Sequence, residues 1–261
     1  MDEAKIQRYG EELYAALRGR RTVPPLTERE PGITIEDAYR IQMDLVRRKL
    51  ERDSETVVGK KIGVTSEVVQ KSLGVGQPDF GHLTSAMQFV DGDTLPTDRL
   101  IQPRAEGEIA FILGRDLAGP GVSEADVLEA TERVVACFEI VDSRIHDWRI
   151  CIQDTVADNA SSGLFVVGRG AVAPRDADLV GCAMTLEKNG ESVGGGVGAA
   201  SMGSPLTAVR WLANTLGAFG IPLKAGEVIL SGSLGPLIPV ARGDAMKLRI
   251  EGLGSAAIRF T

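Results

Sequence analysis

Two glutamates two positions apart, within residues 104–113, are the first indication of chemistry in this sequence. Successive side chains of a β-strand point to opposite faces, so Glu106 and Glu108 share one face of a strand that continues with apolar residues. Their backbone positions would be about 6–7 Å apart, and from there both carboxylates can reach one cation. Two such charges need a compensating positive charge, although a solvated strand end with two ordinary surface glutamates would show the same spacing.

A third carboxylate, Glu139, lies within the apolar residues 134–141, which we predict to form a strand buried on both faces. An ionised carboxylate in such a place is costly unless it is paired or bound to a metal. The sequence offers three partners: Arg144, Lys61, or a divalent ion shared with the first two glutamates. Three carboxylates without a histidine form an oxygen-only set, which favours Mg²⁺ or Mn²⁺ over Zn²⁺ or Cu²⁺.

Two consecutive lysines lie in residues 57–65, which we predict to form another strand. Lys60 and Lys61 face opposite ways, and Lys61 lies between two glycines that leave room for a ligand. A lysine there binds a carboxylate or transfers protons, whereas two solvated lysines are the simpler alternative. Asp79 follows a proline in a turn-like segment, where aspartate commonly bonds its own backbone.

Residues 154–163 form a dense polar segment between apolar runs and include Asn159 and Ser161. The segment either supplies hydrogen-bond donors to an anionic substrate or forms a capped turn, and the sequence leaves both open. The same alternatives hold for residues 231–233, which follow a predicted strand. Residues 194–198 resemble a phosphate-binding loop only superficially, because they lack the Lys-Ser/Thr of a P-loop and the strand–GxGxxG–helix context of a dinucleotide site.

The elements that position these residues begin with helices. The spacing of apolar residues predicts one helix over residues 2–19 and a second that starts at the N-cap Thr34 and ends near Arg52. A short helix is predicted over residues 67–73. The first part of the chain is therefore expected to be mainly helical.

The second part of the chain has a different pattern. From residue 100 onward, apolar strand-like runs alternate with turns, and only residues 123–134 and 204–219 keep a helical pattern. We therefore predict an α+β fold, with a smaller helical N-terminal lobe over residues 1–90 and a β-rich catalytic domain over residues 91–261.

Charge and composition exclude several classes of protein. The chain has 261 residues and 29 Lys+Arg against 36 Asp+Glu, and this acidic balance of −7 argues against nucleic-acid or anionic-membrane binding. No segment approaches the roughly 20 apolar residues of a membrane span, and the N-terminus lacks the pattern of a secretory signal. Three cysteines without a Cys-x-x-Cys pattern indicate reduced thiols and a cytoplasmic protein.

Five of these segments, in order along the chain, resemble the 2-oxopent-4-enoate hydratase (2-hydroxypenta-2,4-dienoate hydratase) family, which belongs to the fumarylacetoacetate-hydrolase-like superfamily. The matching stretches are residues 59–66, 77–81, 102–111, 138–144 and 154–161. The resemblance spans nearly the whole chain and implies a fumarylacetoacetate-hydrolase-like fold for the β-rich domain.

The resemblance also implies roles for individual residues. The metal ligands of the family fall on Glu106, Glu108 and Glu139, which would hold Mg²⁺ or Mn²⁺. The family's active-site lysine falls on Lys61, which would orient the substrate and transfer protons. Its loop aspartate falls on Asp79, a candidate general base or water-positioning group.

The activity that the resemblance implies is the addition of water to 2-hydroxypenta-2,4-dienoate, which gives 4-hydroxy-2-oxopentanoate in the meta-cleavage catabolism of aromatic compounds. Asn159 and Ser161 are the candidates for binding the substrate carboxylate. The resemblance further implies a homo-oligomer, a pentamer or decamer, and a possible complex with 4-oxalocrotonate decarboxylase.

Three alternatives stay open at this point. The first is 4-oxalocrotonate decarboxylase itself, in which the lysine strand tends to read Lys-Met-Gly-Leu-Thr and a histidine tends to precede the proline of the acidic strand. Here the residues are Lys-Ile-Gly-Val-Thr at 61–65 and Gln102 before Pro103, which favours the hydratase. The second is a hydratase of 2-oxohept-4-ene-1,7-dioate. The third is a non-catalytic partner subunit of the decarboxylase, which the complete set of glutamates argues against.

Overall fold

Two β-sheets packed face to face, with a layer of helices beside them, make up this chain. The structure, a computed structural model, describes the backbone of residues 1–261 and every side chain except those of residues 67, 68 and 72. The α-helices are α1 (Glu3–Gly19), α2 (Leu26–Arg29), α3 (Ile35–Arg52), α4 (Glu67–Leu73), α5 (Glu124–Ala130), α6 (Ile152–Ala157) and α7 (Pro205–Gly217). The strands are β1 (Val57–Gly63), β2 (Asp79–Thr84), β3 (Gln88–Val90), β4 (Thr94–Leu95), β5 (Arg104–Leu113), β6 (Thr131–Val141), β7 (Ser162–Val167), β8 (Ala183–Lys188), β9 (Glu191–Val197), β10 (Val228–Leu230), β11 (Ile238–Pro239), β12 (Ala245–Ile250) and β13 (Gly254–Phe260).

The larger sheet has the strand order β2-β1-β10-β5-β6-β7-β3, and β11 pairs with the start of β5. Its centre is the long antiparallel pair of β5 and β6. The sheet is curved, because Leu83 of β2 and Phe165 of β7, near its two ends, pack in one cluster with Leu230 of β10. One face of β5 therefore points into the hollow of this curve, and the other face packs against the second sheet.

The smaller sheet has the order β4-β13-β12-β8-β9, so β9 is its outermost strand. It packs across β5 and β6 through the main hydrophobic core, which joins Phe111 and Phe138 of the larger sheet to Leu186 and Leu248 of the smaller one. The helix α7 lies on the same core through Leu212. Because alternate residues of β5 enter this core, the register of the strand is fixed by burial.

The helical layer has a hydrophobic cluster of its own, in which Leu13 of α1 and Ile41 of α3 pack with Val156 of α6. The helices α1 and α3 confirm the predictions for residues 2–19 and for residues 34 to about 52. Both start at side-chain caps, since Asp2 accepts from the third amide of α1 and Thr34 forms a capping box. None of the described helices is long and apolar enough to cross a bilayer.

The structure corrects two details of the predicted elements. The helix predicted over residues 123–134 ends at Ala130, because Thr131 starts β6 and the following residues pair with β5. Pairing with β5 outweighs the local helical spacing here. The strand β1 ends at Gly63 rather than at residue 65. The polar residues 154–163, for which the sequence left two alternatives open, belong mostly to α6 and a buried 3-10 turn.

The division into residues 1–90 and 91–261 stays a prediction. The helices α1 and α3 do form a layer with a separate core. The strands β1, β2 and β3, however, come from the first 90 residues and pair within the larger sheet. The two segments therefore share that sheet.

A buried ion pair joins the helical layer to the larger sheet. Arg144, which is 1% exposed, donates from its guanidinium to the carboxylate of Asp158 and to the carbonyl oxygens of Asp142 and Ser162. Its backbone N–H also donates to Asp158, at 2.8 Å. A buried charge is tolerable only with such a complete set of partners, so this pair fixes the backbone between α6 and β7.

Replacing Arg144 by methionine should lower the free energy of unfolding by about 3–5 kcal/mol, because Asp158 would stay buried without its cation. The control is Arg133→Met on β6, whose guanidinium is 47% exposed beside an exposed glutamate and should matter little. Urea denaturation at pH 7 measures both changes. Equal losses in the two variants would contradict the structural role of the buried pair.

Candidate metal centre

Three glutamate side chains converge in the hollow of the larger sheet. Glu106 and Glu108 lie on the same face of β5, and the register places Glu139 of β6 directly opposite Glu106. One oxygen from each of the three carboxylates lies within 4.8 Å of the others. All three residues are buried, with exposures of 6%, 0% and 1%, so a solvated strand end is excluded.

Three of the six carboxylate oxygens at this point of convergence lack hydrogen-bond partners among the described residues. The backbone N–H of Gly232 donates to Glu108 Oε2 at 2.7 Å. Among the described residues, Glu108 Oε1 and both oxygens of Glu139 have no hydrogen-bond partner. Buried carboxylate oxygens without partners are costly, and a cation between them would remove that cost. The all-oxygen donor set fits a hard divalent ion such as Mg²⁺ or Mn²⁺.

Lys61 supplies a positive charge beside the glutamates. Its Nζ lies 3.2 Å from Glu139 Oε1, which is an ion-pair distance without the geometry of a hydrogen bond. Burial alone would lower the pKa of Lys61, but the charges of Glu139, of Asp79 and of the other two glutamates raise it above its ordinary value. Lys61 is therefore protonated at neutral pH, and of the three partners considered for Glu139 it is the protein group in place.

The neighbouring lysine belongs to a different environment. Lys60 points to the opposite face of β1, where its Nζ donates to both oxygens of Glu227 at 2.6 Å. Arg144, the other cation considered for Glu139, is occupied by Asp158. The two lysines are both buried, so the alternative of two solvated side chains is excluded.

Asp79 is the first residue of β2 and is 2% exposed, so it is more than a surface turn residue. Burial raises the pKa of Asp79 to about 6, although the charge of Lys61 acts in the opposite direction. Gly63 lies opposite Asp79, and a Cβ at Gly63 would overlap the aspartate and approach Lys61 Nζ to 3.5 Å. The two glycines that flank Lys61 therefore leave no space for a ligand, contrary to our expectation. Asp79 fills the space beside Gly63, and the backbone of β10 fills the space beside Gly59.

The two candidates from the polar segment have different surroundings. The amide of Asn159 accepts from the backbone N–H of His82 and donates to its carbonyl oxygen, so both ends of the amide tie the turn to β2. Ser161 faces the cavity, and its Oγ lies 3.2 Å from Thr155 Oγ1. Asn159, Ala160 and Ser161 all have left-handed backbone angles, with φ of 54°, 50° and 52°. Such angles are unfavourable for residues other than glycine, and the surrounding packing holds them here.

A cavity of about 360 Å³ opens onto Glu106, Lys61 and Asp79. Its inner end is charged, and its outer part is largely apolar. The lining residues that the sequence did not single out as site residues include Thr65, Trp148, Ile150, Thr155 and Leu237. Ser233, which also lines the cavity, follows β10 in a segment whose polar residues were a weak signal. No sequence pattern marked Trp148 or Ile150, because only the folded chain brings them to the cavity.

Comparison with known proteins agrees with this geometry. A family model described as Fumarylacetoacetate (FAA) hydrolase C-terminal matches residues 67–261. The 2-hydroxyhexa-2,4-dienoate hydratase of Comamonas testosteroni is 58% identical, over an alignment that covers 100% of this chain and 99% of that protein. The 2-hydroxypent-2,4-dienoate hydratase of Pseudomonas putida is 60% identical over 85% of this chain and 100% of that protein. The solved structure of 4-oxalocrotonate decarboxylase from Pseudomonas putida G7, complexed with magnesium and adipate, has a TM-score of 0.96 at 34% identity, over 100% of this chain and 99% of that one.

Replacing Glu106 by glutamine should remove most of the binding of Mn²⁺ while the protein stays folded, because one of three anionic ligands becomes neutral. Metal content after dialysis against Mn²⁺, with circular dichroism as the folding check, measures the effect. The control is Glu227→Gln, which changes another buried, lysine-paired glutamate away from the three carboxylates. A full metal content in the Glu106 variant would contradict its assignment as a ligand.

Metal affinity should increase with pH between about 6 and 8. Burial, followed by the charge of Glu139, raises the pKa of Glu106 to about 7 and that of Glu108 well above its ordinary value. A cation must displace the protons that the cluster retains, so the dissociation constant should fall by up to about tenfold per pH unit for each proton displaced. Calorimetric titration with Mn²⁺ in two buffers of different ionisation enthalpy would count the protons released. A constant affinity across this range would contradict the protonated cluster.

Proposed function

This chain belongs to the fumarylacetoacetate hydrolase family, and we propose that it is a divalent-metal-dependent hydro-lyase that adds water to 2-hydroxypenta-2,4-dienoate. The product is 4-hydroxy-2-oxopentanoate, in the meta-cleavage catabolism of aromatic compounds. Relatives at 58% and 60% identity are named as hydratases of dienoates of this type. The observation that carries the proposal is the set of three buried glutamates, two of them with unpartnered oxygens, beside a cationic lysine. Glu106 and Lys61 of this set line a cavity.

Glu106, Glu108 and Glu139 are the residues that would hold Mg²⁺ or Mn²⁺. When bound there, the ion supplies a Lewis acid for the enol oxygen at C2 and stabilises the negative charge that develops on it. Once the ion displaces their protons, the three carboxylates carry more negative charge than Lys61 neutralises. An anionic dienoate therefore needs this cation as well as the lysine in order to approach the inner end of the cavity.

Lys61 and Asp79 are the groups that exchange protons with the substrate. Lys61 is protonated at neutral pH, so it orients the anionic end of the dienoate and carries a proton that it can donate. Asp79, whose pKa is about 6, is largely ionised at neutral pH and is a base of moderate strength. The reaction removes the hydroxyl proton at C2, adds protons at C5 and C3, and adds the hydroxide of one water at C4, so the net gain is one water. Lys61 and Asp79 both line the cavity where these protons would move.

Ser161 is the residue of the polar segment that we assign to substrate binding, because it lines the cavity beside the hydroxyl of Thr155. Both the oxygen and the nitrogen of the Asn159 amide bond the backbone of His82. We therefore assign Asn159 the task of holding the turn that presents Ser161.

The decarboxylase of the same superfamily is the second candidate, because a solved decarboxylase has nearly the same fold. That structure contains adipate, a dicarboxylate. In this chain Lys61 is the single cationic side chain among the described residues that line the cavity, and the outer part of the wall is apolar. A second carboxylate would lie there without a partner, so the cavity favours monocarboxylates over the substrates of the decarboxylase and of a 2-oxohept-4-ene-1,7-dioate hydratase.

A homo-oligomer, a pentamer or decamer, and a complex with 4-oxalocrotonate decarboxylase belong to the same proposal. Both rest on the family resemblance of the sequence. A cytoplasmic location is proposed from the cysteine pattern, and Cys137, Cys151 and Cys182 are all free thiols in the structure. Size-exclusion chromatography with light scattering tests the assembly.

The protein with Mg²⁺ or Mn²⁺ should consume 2-hydroxypenta-2,4-dienoate, seen as a loss of the dienol ultraviolet absorbance, with a mass gain of one water. An excess of chelator should abolish the reaction. Release of CO₂ from 2-oxohex-3-enedioate, without hydration of the monocarboxylate, would favour the decarboxylase. No turnover of either compound would favour a non-catalytic partner.

Replacing Lys61 by methionine should lower kcat by about two to four orders of magnitude, because a fixed charge and a proton donor are lost together. The matched control is Lys60→Met, which removes the adjacent buried lysine from the opposite face of β1 and should leave kcat within a few-fold. Steady-state kinetics at saturating metal separate the two constants. A change in KM alone would make Lys61 a binding residue that moves no proton.

A further inference from the structure

Three consecutive glycines, Gly194, Gly195 and Gly196, have no role in the function described so far. They form the second half of β9, the outermost strand of the smaller sheet. They pack under residues 231–237, which connect β10 to β11 and which we name the metal-site loop. The glycines thus contact this loop at residues 234–236.

Backbone hydrogen bonds attach the metal-site loop to β5 on both sides of Glu108. The N–H of Ser231 donates to the carbonyl of Ile109 at 3.1 Å, and the N–H of Leu234 donates to that of Gly107 at 3.0 Å. Between these two bonds, the N–H of Gly232 donates to Glu108 Oε2. A displacement of the loop would therefore move the one backbone donor that orients this carboxylate.

The glycines of β9 leave the space that the loop fills. A Cβ at Gly196 would overlap the carbonyl oxygen of Leu234 and lie 2.6 Å from its carbon. A Cβ at Gly194 would lie 2.6 Å from Pro236 Cγ. In the opposite direction, a Cβ at Gly235 would lie 2.8 Å from the carbonyl oxygen of Gly195. Two stretches of backbone are in direct contact here, and any side chain would push them apart.

The requirement for glycine in β9 comes from this contact and not from backbone conformation. The positions of the chain with positive φ do not include Gly194, Gly195 or Gly196. An alanine at any of them could adopt the required backbone angles. Only the space beside the metal-site loop forbids it at Gly194 and Gly196.

We propose that Gly194 and Gly196 are positioning residues for the metal centre. The metal-site loop packs directly against the glycine backbone of β9, and this contact sets the distance between the Gly232 amide and Glu108. This inference deepens the proposed function, since it rests on the same three-glutamate site. Groups that orient metal ligands commonly change metal affinity by 10- to 100-fold when they are altered, and Mg²⁺ or Mn²⁺ centres are sensitive to such shifts because their geometry is strict.

The test is a titration with Mn²⁺ alone, followed by electron paramagnetic resonance of the free ion, at a temperature where every variant is folded by circular dichroism. Gly196→Ala should raise the dissociation constant by roughly 10- to 100-fold. The matched control is Gly195→Ala on the same strand, whose added methyl meets the Met184 carbonyl of β8 and not the loop. It should bind Mn²⁺ as the wild type does. Equal changes in the two variants would overturn the proposal in favour of a general loss of strand stability.

A second pair of variants keeps the test decisive if Gly196→Ala does not fold. Gly194→Ala presses on the ring of Pro236, so it should weaken Mn²⁺ binding, but less than the change at Gly196. In a Pro236→Ala background the same change should have little effect, because the obstructing Cγ is gone. If the effects of the two substitutions on Mn²⁺ binding were additive, Gly194 would not act through Pro236, and the proposal that the loop transmits the effect would be wrong.

The outcomes also separate this inference from the proposed function. Wild-type protein that binds Mn²⁺, with unchanged binding in Gly196→Ala and Gly194→Ala, would overturn the inference alone. Wild-type protein that binds no Mn²⁺ would overturn both. If the inference is correct, the glycine variants need a higher Mn²⁺ concentration for half-maximal activity than the wild type, and saturating Mn²⁺ restores part of their kcat.

Discussion

An excess of buried negative charge is the constraint on which the rest of this structure depends. Glu106, Glu108, Glu139 and Asp79 lie in the hollow of one sheet, and Lys61 is the protein cation among them. Carboxylates removed from water need a positive charge or hydrogen-bond donors. The protein meets part of this need with Lys61 and one backbone amide, and we propose the oxygens that stay without partners as the site of a divalent cation.

The two faces of β5 have different surroundings, and this is how the fold positions the charged residues. One face of β5 enters the core between the sheets, so the strand is held firmly, while the other face carries the glutamates into the hollow. The helical layer borders the site through α6 and the left-handed turn that follows it. The guanidinium of Arg144 stabilises this turn by donating to the carbonyl oxygen of Asp158. The smaller sheet contributes from a distance, because β9 supports the loop whose amide orients Glu108. The metal centre therefore depends on all three layers.

Strand alternation was the most reliable guide to the site. It placed Glu106 and Glu108 on one face and Lys60 and Lys61 on opposite faces, and the structure has both arrangements. Helix caps predicted α1 and α3 closely. The same local rules failed where a distant partner decides the outcome, because β6 takes over the end of a helical pattern. They also gave no sign that the amide of Asn159 binds a strand 77 residues away in sequence.

The sequence by itself determined which residue types are present, their strand faces, and the burial of Glu139, because these follow from periods of two and 3.6 residues and from local polarity. The tertiary structure alone decided which partner each charged group has. Glu139 acquired Lys61 and not Arg144, and Lys60 acquired Glu227, because strand order and register bring together groups that are far apart along the chain. The shape of the cavity, with Trp148 and Ile150 in its wall, was decided in the same way. Distances across a sheet depend on pairings over many residues, and no local spacing contains that information.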